Sequence, residues 1–407
     1  MTELRLTPLE VASGLVVGTD RTAPALPVPE PRVTPRGALE ETVREGLFRP
    51  PCLVAFSGGR DSSALLALAV GVARREGLDL PLPVTLRFPD VDTAQEGEWQ
   101  EQVVRHLGLT EWVRLEFADQ LDLVGPYAEG ILLRHGLVWP ANAHFLVPIL
   151  EQAPGGSLIT GVFGDEVFSQ LPRLVRVREV LAGREPPRLR DILRTGLAMA
   201  PPWMRRRVLS RRRLETDAIP GWLRPGVRRL VGLALAREEA AHPLRWSREL
   251  HRFWRQRYTR LLRHTLRLLS ADHQCKVIAP FGDAAFLAAF ARAGGLAGFH
   301  DRAEALEAVA GDLLPDQVLK RPTKATFTGT FLNRYTDRFA AEWDGAGVDG
   351  KLVDPELVQW VWLGDSDRLP PGVIPRDFRS AHLLQAAWLA QRGRSTPFTE
   401  AQSYGVA

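Results

Sequence analysis

The chain has 407 residues, 45% hydrophobic and 25% charged, with a formal net charge of +4. This length and balance predict two or three structural units with a large core, and exclude a disordered, collagen-like or fibrous chain. No uncharged run of about 18 apolar residues occurs, Glu3 stands where a leader peptide would be basic, and Cys52 and Cys275 are too few for a disulfide framework or a cysteine-rich zinc site, so no membrane association is expected and the expected compartment is the cytoplasm.

Of the 52 basic residues only Lys276, Lys320, Lys324 and Lys351 are lysines, and the other 48 are arginines. An anionic partner and a plain arginine-rich surface both account for that bias, and charge alone does not separate them. In chain order, Pro24, Pro27, Pro29, Pro31 and Pro35 make residues 1–35 read as an extended strap. From Gly37, the spacing of Leu39, Val43 and Leu47 predicts a short amphipathic helix that Pro50-Pro51 ends. Leu53–Phe56 reads as a short apolar strand, and Ser62–Ala73 as a helix apolar on nearly all sides, hence buried. Val84–Phe88 predicts a second strand, Thr93–Leu107 a helix with Trp99, Val103 and Leu107 on one face, and the alternation of Val113, Leu115 and Phe117 a third strand. A helix over 142–152 and a strand over Ser157–Gly161 follow. Strands alternating with helices at this spacing predict an α/β fold with a parallel sheet covered on both faces.

From about Arg173 the texture changes. Residues 173–213 hold 13 arginines against Glu179, Glu185 and Asp191, with Pro-Pro breaks at 186–187 and 201–202, and no strand pattern reaches to about 270. Leu250, Trp254, Tyr258, Leu261 and Leu262 predict one long helix, and the last 60 residues one or two helices striped by Leu383, Leu384, Ala387, Trp388 and Leu389.

Two segments carry chemistry. The first strand runs into Ser57-Gly58-Gly59-Arg60-Asp61-Ser62-Ser63 and then a helix. Glycines let backbone approach an anion, successive N–H groups and the helix N-terminus supply positive charge, and Ser57, Ser62 and Ser63 add hydroxyls. Asp61 beside phosphates points to Mg²⁺. The string lacks the lysine of a Walker loop and the three spaced glycines of a dinucleotide fingerprint. The second segment, Val162-Phe163-Gly164-Asp165-Glu166-Val167-Phe168, puts two adjacent carboxylates at a strand end, a costly arrangement unless a cation meets them.

The first segment resembles the SGGxDS signature of the PP-loop ATP pyrophosphatases, and the two together resemble the asparagine synthase-like family, whose synthetase domain has SGGLDSS followed about 100 residues later by a GEGSDELF-type segment. Pro280-Phe281-Gly282-Asp283 is similar to its PFLD, and Leu314-Pro315 with Lys320-Arg321-Pro322-Thr323-Lys324 and Phe327 to its LP…R.K..F stretch. The likeness spans roughly 36–390 and implies a PP-loop core, with a strap over 1–35, an ATP-binding α/β core over 36–172, an Arg-rich helical region over 173–270 and a helical remainder over 271–407.

The resemblance further implies that Ser57, Gly58, Gly59, Asp61 and Ser62 bind the pyrophosphate of ATP, that Asp61 and Asp165 hold Mg²⁺, and that Lys324 stabilises charge building up on phosphate. Arg87, at the end of the second strand, could approach the nucleotide; His144, with Arg134, His135 and Asn142, could reach the acyl substrate as a base. Val162 replaces the family glutamate that positions the nucleophile, and Phe163 replaces a glycine and is expected to narrow the pocket. Thr2 stands where the family's N-terminal glutaminase has its cysteine, so no glutaminase is expected, and the amine or ammonia would come from solution, a partner protein or the substrate. The implied activity is an ATP-dependent ligase that adenylates a small-molecule or peptide carboxylate, releases pyrophosphate and lets an amine displace AMP. A PP-loop tRNA-modifying enzyme, with residues 173–213 as RNA footprint, is disfavoured by the Gly-Asp-Glu and Lys324 segments; an idle ATP-binding homologue is kept open by Val162.

Overall fold

The computed structural model describes residues 4–393 apart from 21, 29, 92, 94, 95, 170, 171, 214–217, 320 and 322–326. Five strands form one all-parallel sheet: β1 (Cys52–Ala55), β2 (Leu82–Arg87), β3 (Val113–Glu116), β4 (Ser157–Ile159) and β5 (Lys276–Ile278), in the order β3-β2-β1-β4-β5. β1 is central, with Leu53 opposite Leu82 on one side and Leu158 on the other, which explains why Cys52, Leu53 and Val54 are all apolar and buried. The chain leaves β1 in one direction for β2 and β3, then returns to the other side of β1 for β4 and β5. That reversal opens a crevice beyond the carboxyl ends of β1 and β4, where open α/β sheets take their ligands.

The helices up to the Gly164-Asp165-Glu166 segment are α1 (Pro8–Ser13), α2 (Pro35–Leu47), α3 (Arg60–Glu76), α4 (Gly97–His106), α5 (Pro126–His135), the single turn α6 (Val147–Leu150) and α7 (Gly164–Phe168). α3 lies against the sheet beneath α2 and is buried from Ser62 to Val70, as its all-apolar run requires; Gly77 in left-handed conformation ends it. Only 143–150 of the helix expected over 142–152 is helical, beginning as a 3₁₀ turn at Ala143–Leu146. Past it come α8 (Pro172–Leu181), α9 (Leu189–Met199), α10 (Pro202–Arg213), α11 (Pro225–Ala240), α12 (Trp246–Trp254), α13 (Arg257–Asp272), α14 (Ala284–Gly294) and α15 (Arg302–Ala310).

Two expectations change. The single helix read from Leu250 to Leu262 is two, α12 and α13. At the break the Asp20 N–H donates to the Arg255 carbonyl (2.7 Å) and the Arg257 N–H to the Gly18 carbonyl (3.0 Å), so a strand-like bridge from the N-terminal segment takes the place of helical bonds. β5 was not anticipated, because three residues are too few to show a period. The N-terminal segment is extended over most of its length but holds α1, capped reciprocally by Thr7 and Glu10. The Trp222 indole donates to the Ala12 carbonyl (2.9 Å), which fixes this segment to a second apolar core around Trp222, Val358, Trp362 and Leu384. Cys52 and Cys275 are buried free thiols, both pushed up to about 11 by burial. No helix among the described residues is long and apolar enough to cross a membrane.

Candidate active site

β1 delivers the chain to the crevice, and α3 begins at Arg60. Between them Gly58 takes φ +83°, and a Cβ there would lie 2.6 Å from the Gln100 side chain, so both conformation and space demand glycine. Gln100 holds the loop by donating to the Ser57 carbonyl (2.9 Å). Ser57 and Ser62 face each other (Oγ–Oγ 3.1 Å), and the Ser62 hydroxyl donates to the Gly59 carbonyl (3.0 Å). The N-cap, Gly59, has no side chain to satisfy the first N–H groups of α3. A 17-residue helix therefore points uncapped donors and its positive dipole end at the crevice, as an anion site requires. Ser63, expected beside the other hydroxyls, is fully buried and does not line the crevice.

Beyond β4, Phe163 adopts φ +77° and α7 follows. A Cβ on Gly164 would sit 2.5 Å from Asp61 Oδ2, so glycine here is what lets the second carboxylate segment close against the first. Arg302, the first residue of α15, spans the two: its Nη2 bonds Asp61 Oδ2 and lies 3.0 Å from Asp165 Oδ1. Asp61 and Asp165, more than 100 residues apart in sequence, thus both pair with the Arg302 guanidinium. Arg321 is buried, pairs with Glu96, donates to the Gly58 carbonyl (3.1 Å) and lies over Trp99. Burial, with the nearby Arg302 and Arg321 charges and against the opposing pull of Asp61 and Asp165, lowers the Arg60 guanidinium from its ordinary value.

These groups line one cavity of about 640 Å³, within the range of small-molecule sites. Ser57, Gly59, Asp61, Ser62 and Asp165 all face it, with Gly58 in the loop behind. Its opposite wall is apolar, with Val84, Leu86, Phe145 and Ile149, and Val162 stands beside Asp165. A magnesium ion bound by proteins usually takes one or two carboxylates and completes its shell from phosphates and water. The Asp61–Asp165 pair fits that donor set, and the guanidinium between them marks where a cation is electrostatically favoured. No group of three or more His, Cys, Asp or Glu able to hold a metal occurs among the described residues, so phosphate oxygens would have to supply the remainder.

Other expected residues lie elsewhere. Arg87 falls on the opposite face of β2 from Val84 and Leu86, by the two-residue period of a strand, and its guanidinium sits 5.3 Å from the Trp112 ring centroid rather than in the cavity. His144 is buried, bonded through Nε2 to the Leu121 carbonyl (2.9 Å) and pushed down to about 4 by burial, so it is a neutral structural group and not a base facing the site. Arg134 and His135 end α5 and pair with Asp272. Phe163 does not narrow the cavity. It turns away, packs edge-on to Phe253 (5.9 Å) and occupies the space above Gly282, where a Cβ would lie 2.3 Å from its ring. Arg263 covers the same ring and donates to the Gly282 carbonyl (3.0 Å). The large residue at 163 and the small one at 282 are therefore complementary. Lys324 lies outside the described residues.

Sequence reasoning missed Arg302 as a site residue and gave Arg321 no role. Asp301 caps α15 by accepting from the Glu304 N–H (2.9 Å), so the string Asp-Arg-Ala-Glu was a readable helix start that places Arg302 in its first turn, though nothing in it says what that turn faces.

No curated protein matches the chain. The sequence matches the asparagine synthase family over residues 35–371, more than four fifths of its length and spanning every segment that builds the cavity. With its parallel PP-loop sheet and the two carboxylates set beside the uncapped N-terminus of α3, the chain belongs to the asparagine synthase family, whose chemistry is ATP-dependent adenylation and amidation.

Proposed function

We propose that the protein is an ATP-dependent amide-forming ligase. The observation that carries this reading is the convergence of Asp61 and Asp165 on one cation position beside the uncapped end of α3. The loop Ser57–Ser62 and the first N–H groups of α3 hold the β- and γ-phosphates, and Arg60, Arg302 and Arg321 supply positive charge around them. Asp61 and Asp165 would hold Mg²⁺, which neutralises phosphate charge. A substrate carboxylate attacks the α-phosphorus, pyrophosphate leaves, and the acyl-adenylate is opened by an amine that loses a proton as AMP departs. Lys324 is assigned to stabilise the phosphate charge in both steps, in keeping with its place in the family segment. The Val84, Leu86, Phe145 and Ile149 wall offers an apolar surface in the cavity and is assigned to the adenosine and acyl groups. Val162 puts a methyl-bearing side chain where a carboxylate would hold ammonia, which favours a carbon-substituted amine as nucleophile and a carboxylate other than aspartate.

The test is carboxylate-dependent exchange of labelled pyrophosphate into ATP, with AMP as co-product. Asp61→Asn and Asp165→Asn are each expected to lower exchange by about 10³-fold or more. Parent-like exchange in both variants, or ADP and phosphate as products, refutes the reading.

A further inference from the structure

The Arg-rich region takes no part in the cavity, yet it carries a surface of its own. Fourteen large hydrophobic side chains stand exposed among the described residues, and six of them, Ile192, Leu193, Met199, Trp203, Met204 and Val208, lie between residues 192 and 208 on α9 and α10. Leu193 is 80% and Trp203 68% exposed, far beyond the scattered apolar exposure of an ordinary surface. The two helices meet at Ala200-Pro201-Pro202, and this bend forms one side of a second cavity, about 510 Å³, whose other side is Pro243, Leu244, Arg245 and Arg248.

That far wall is built rather than loose. Arg178, fully buried, donates through Nε to the Leu244 carbonyl (2.8 Å) and through Nη2 to the Pro243 carbonyl (3.2 Å), and His242 is held by Glu249 (2.6 Å). Arg205 lines the cavity. It donates through Nη1 to the His242 carbonyl (2.9 Å), and its solvent-shielded Nε has no hydrogen-bond partner among the described residues. Arg245 and Arg248 line the same cavity and stand exposed, as do Arg206 and Arg207 further along α10, and no carboxylate of the described residues pairs with the side chains of these four.

We propose that this cavity and the α9–α10 stripe dock an acidic, amphipathic helical segment of a partner polypeptide. Arginines with no carboxylate partner among the described residues call for carboxylates, and the exposed apolar side chains of α9 and α10 call for side chains that leave water, a combination an amphipathic acidic helix supplies along its two faces. A nucleic acid would use the arginines and leave Ile192, Leu193 and Met199 unserved. A flat lipid surface would leave the recess between Pro201 and Leu244 unfilled. The surface shares no residue with the nucleotide cavity, so the proposal stands apart from the ligase reading.

The test titrates the full chain into a fluorescein-labelled peptide of about 18 residues with Leu and Phe at i, i+3, i+4 and i+7 and Glu elsewhere, read by anisotropy. Saturable binding is expected, weakened about tenfold both by Met199→Ser with Trp203→Ser and by Arg245→Glu with Arg248→Glu, with the unfolding midpoint of the parent chain retained. Binding that neither pair of substitutions weakens, absence of peptide binding, or tighter binding of single-stranded RNA of the same length or of phosphatidylglycerol-containing vesicles overturns it.

Discussion

Arg302→Gln is expected to raise the affinity of the nucleotide-free protein for a divalent cation. In the parent chain the guanidinium already neutralises Asp61 and Asp165, so a metal must displace it. Two unit charges 3.0 Å apart, the Arg302–Asp165 separation, interact by roughly 5 kcal/mol at an effective dielectric constant near 20. Asp165 is 59% exposed while Asp61 and Arg302 are mostly covered, so desolvation and screening leave on the order of 1–2 kcal/mol net. Glutamine removes that competition. At about 1.4 kcal/mol per factor of ten, Mn²⁺ binding followed by electron paramagnetic resonance without nucleotide is expected to tighten about tenfold. Added Mn²⁺ should also restore the thermal stability the variant loses, because the two facing carboxylates repel more once the Arg302 guanidinium no longer stands between them. Asp61→Asn in the same background should cancel both effects. Equal Mn²⁺ affinity in parent and Arg302→Gln chains would refute the competition, whatever the reaction turns out to be.

Three further outcomes follow from the same geometry. Gly282→Leu drives a side chain into the Phe163 ring and is expected to cost about 2 kcal/mol or more, whereas Phe163→Gly with Gly282→Leu should recover much of it; additive denaturation midpoints across the four chains would deny the complementarity. Gly164→Ala pushes a methyl against Asp61 Oδ2 and should weaken Mg-ATP binding in calorimetry about tenfold or more while the protein still folds; unchanged affinity would show that Asp61 does not need that approach. His144 is held neutral with its pKa lowered to about 4, so its contribution is intact above the ordinary histidine value of about 6.5 and is lost as pH falls from there towards 4, a loss on the order of 3 kcal/mol. His144→Gln should flatten that acid limb in urea unfolding at pH 7 and 4.5 and leave the shape of the rate–pH profile unchanged; a changed profile would return the imidazole to the chemistry.

What could be read from the sequence is what local physics writes into contiguous residues. Ser57–Ser63 announces itself because glycine, hydroxyl and carboxylate fall between an apolar strand and an apolar helix, and both the loop and α3 lie where that order puts them. Gly164-Asp165 was visible for the same reason. Arg302 was not, since its partner Asp61 is 241 residues away and only the sheet order brings α15 over α3. Arg87 shows the converse: its position at the end of a strand was legible, but the face it occupies depends on a two-residue register that sequence near a strand end does not fix. The α12–α13 break escaped notice because its cause, the bridge from Gly18–Asp20, comes from the far end of the chain.

The central position of β1 carries a consequence for how the protein is made. Its residues leave the ribosome before those of its neighbours: the strand that covers its second edge begins at Ser157, and the edge beyond that closes only with Lys276. Until then β1 and β4 keep open hydrogen-bonding edges. Arg302 emerges later still, so Asp61 and Asp165 are made well before the guanidinium that pairs with both. Pairings of such long sequence separation are slow, and they leave apolar edge exposed while they wait. Folding during synthesis should therefore depend strongly on chaperones, with aggregation most pronounced for nascent chains that end between β4 and β5.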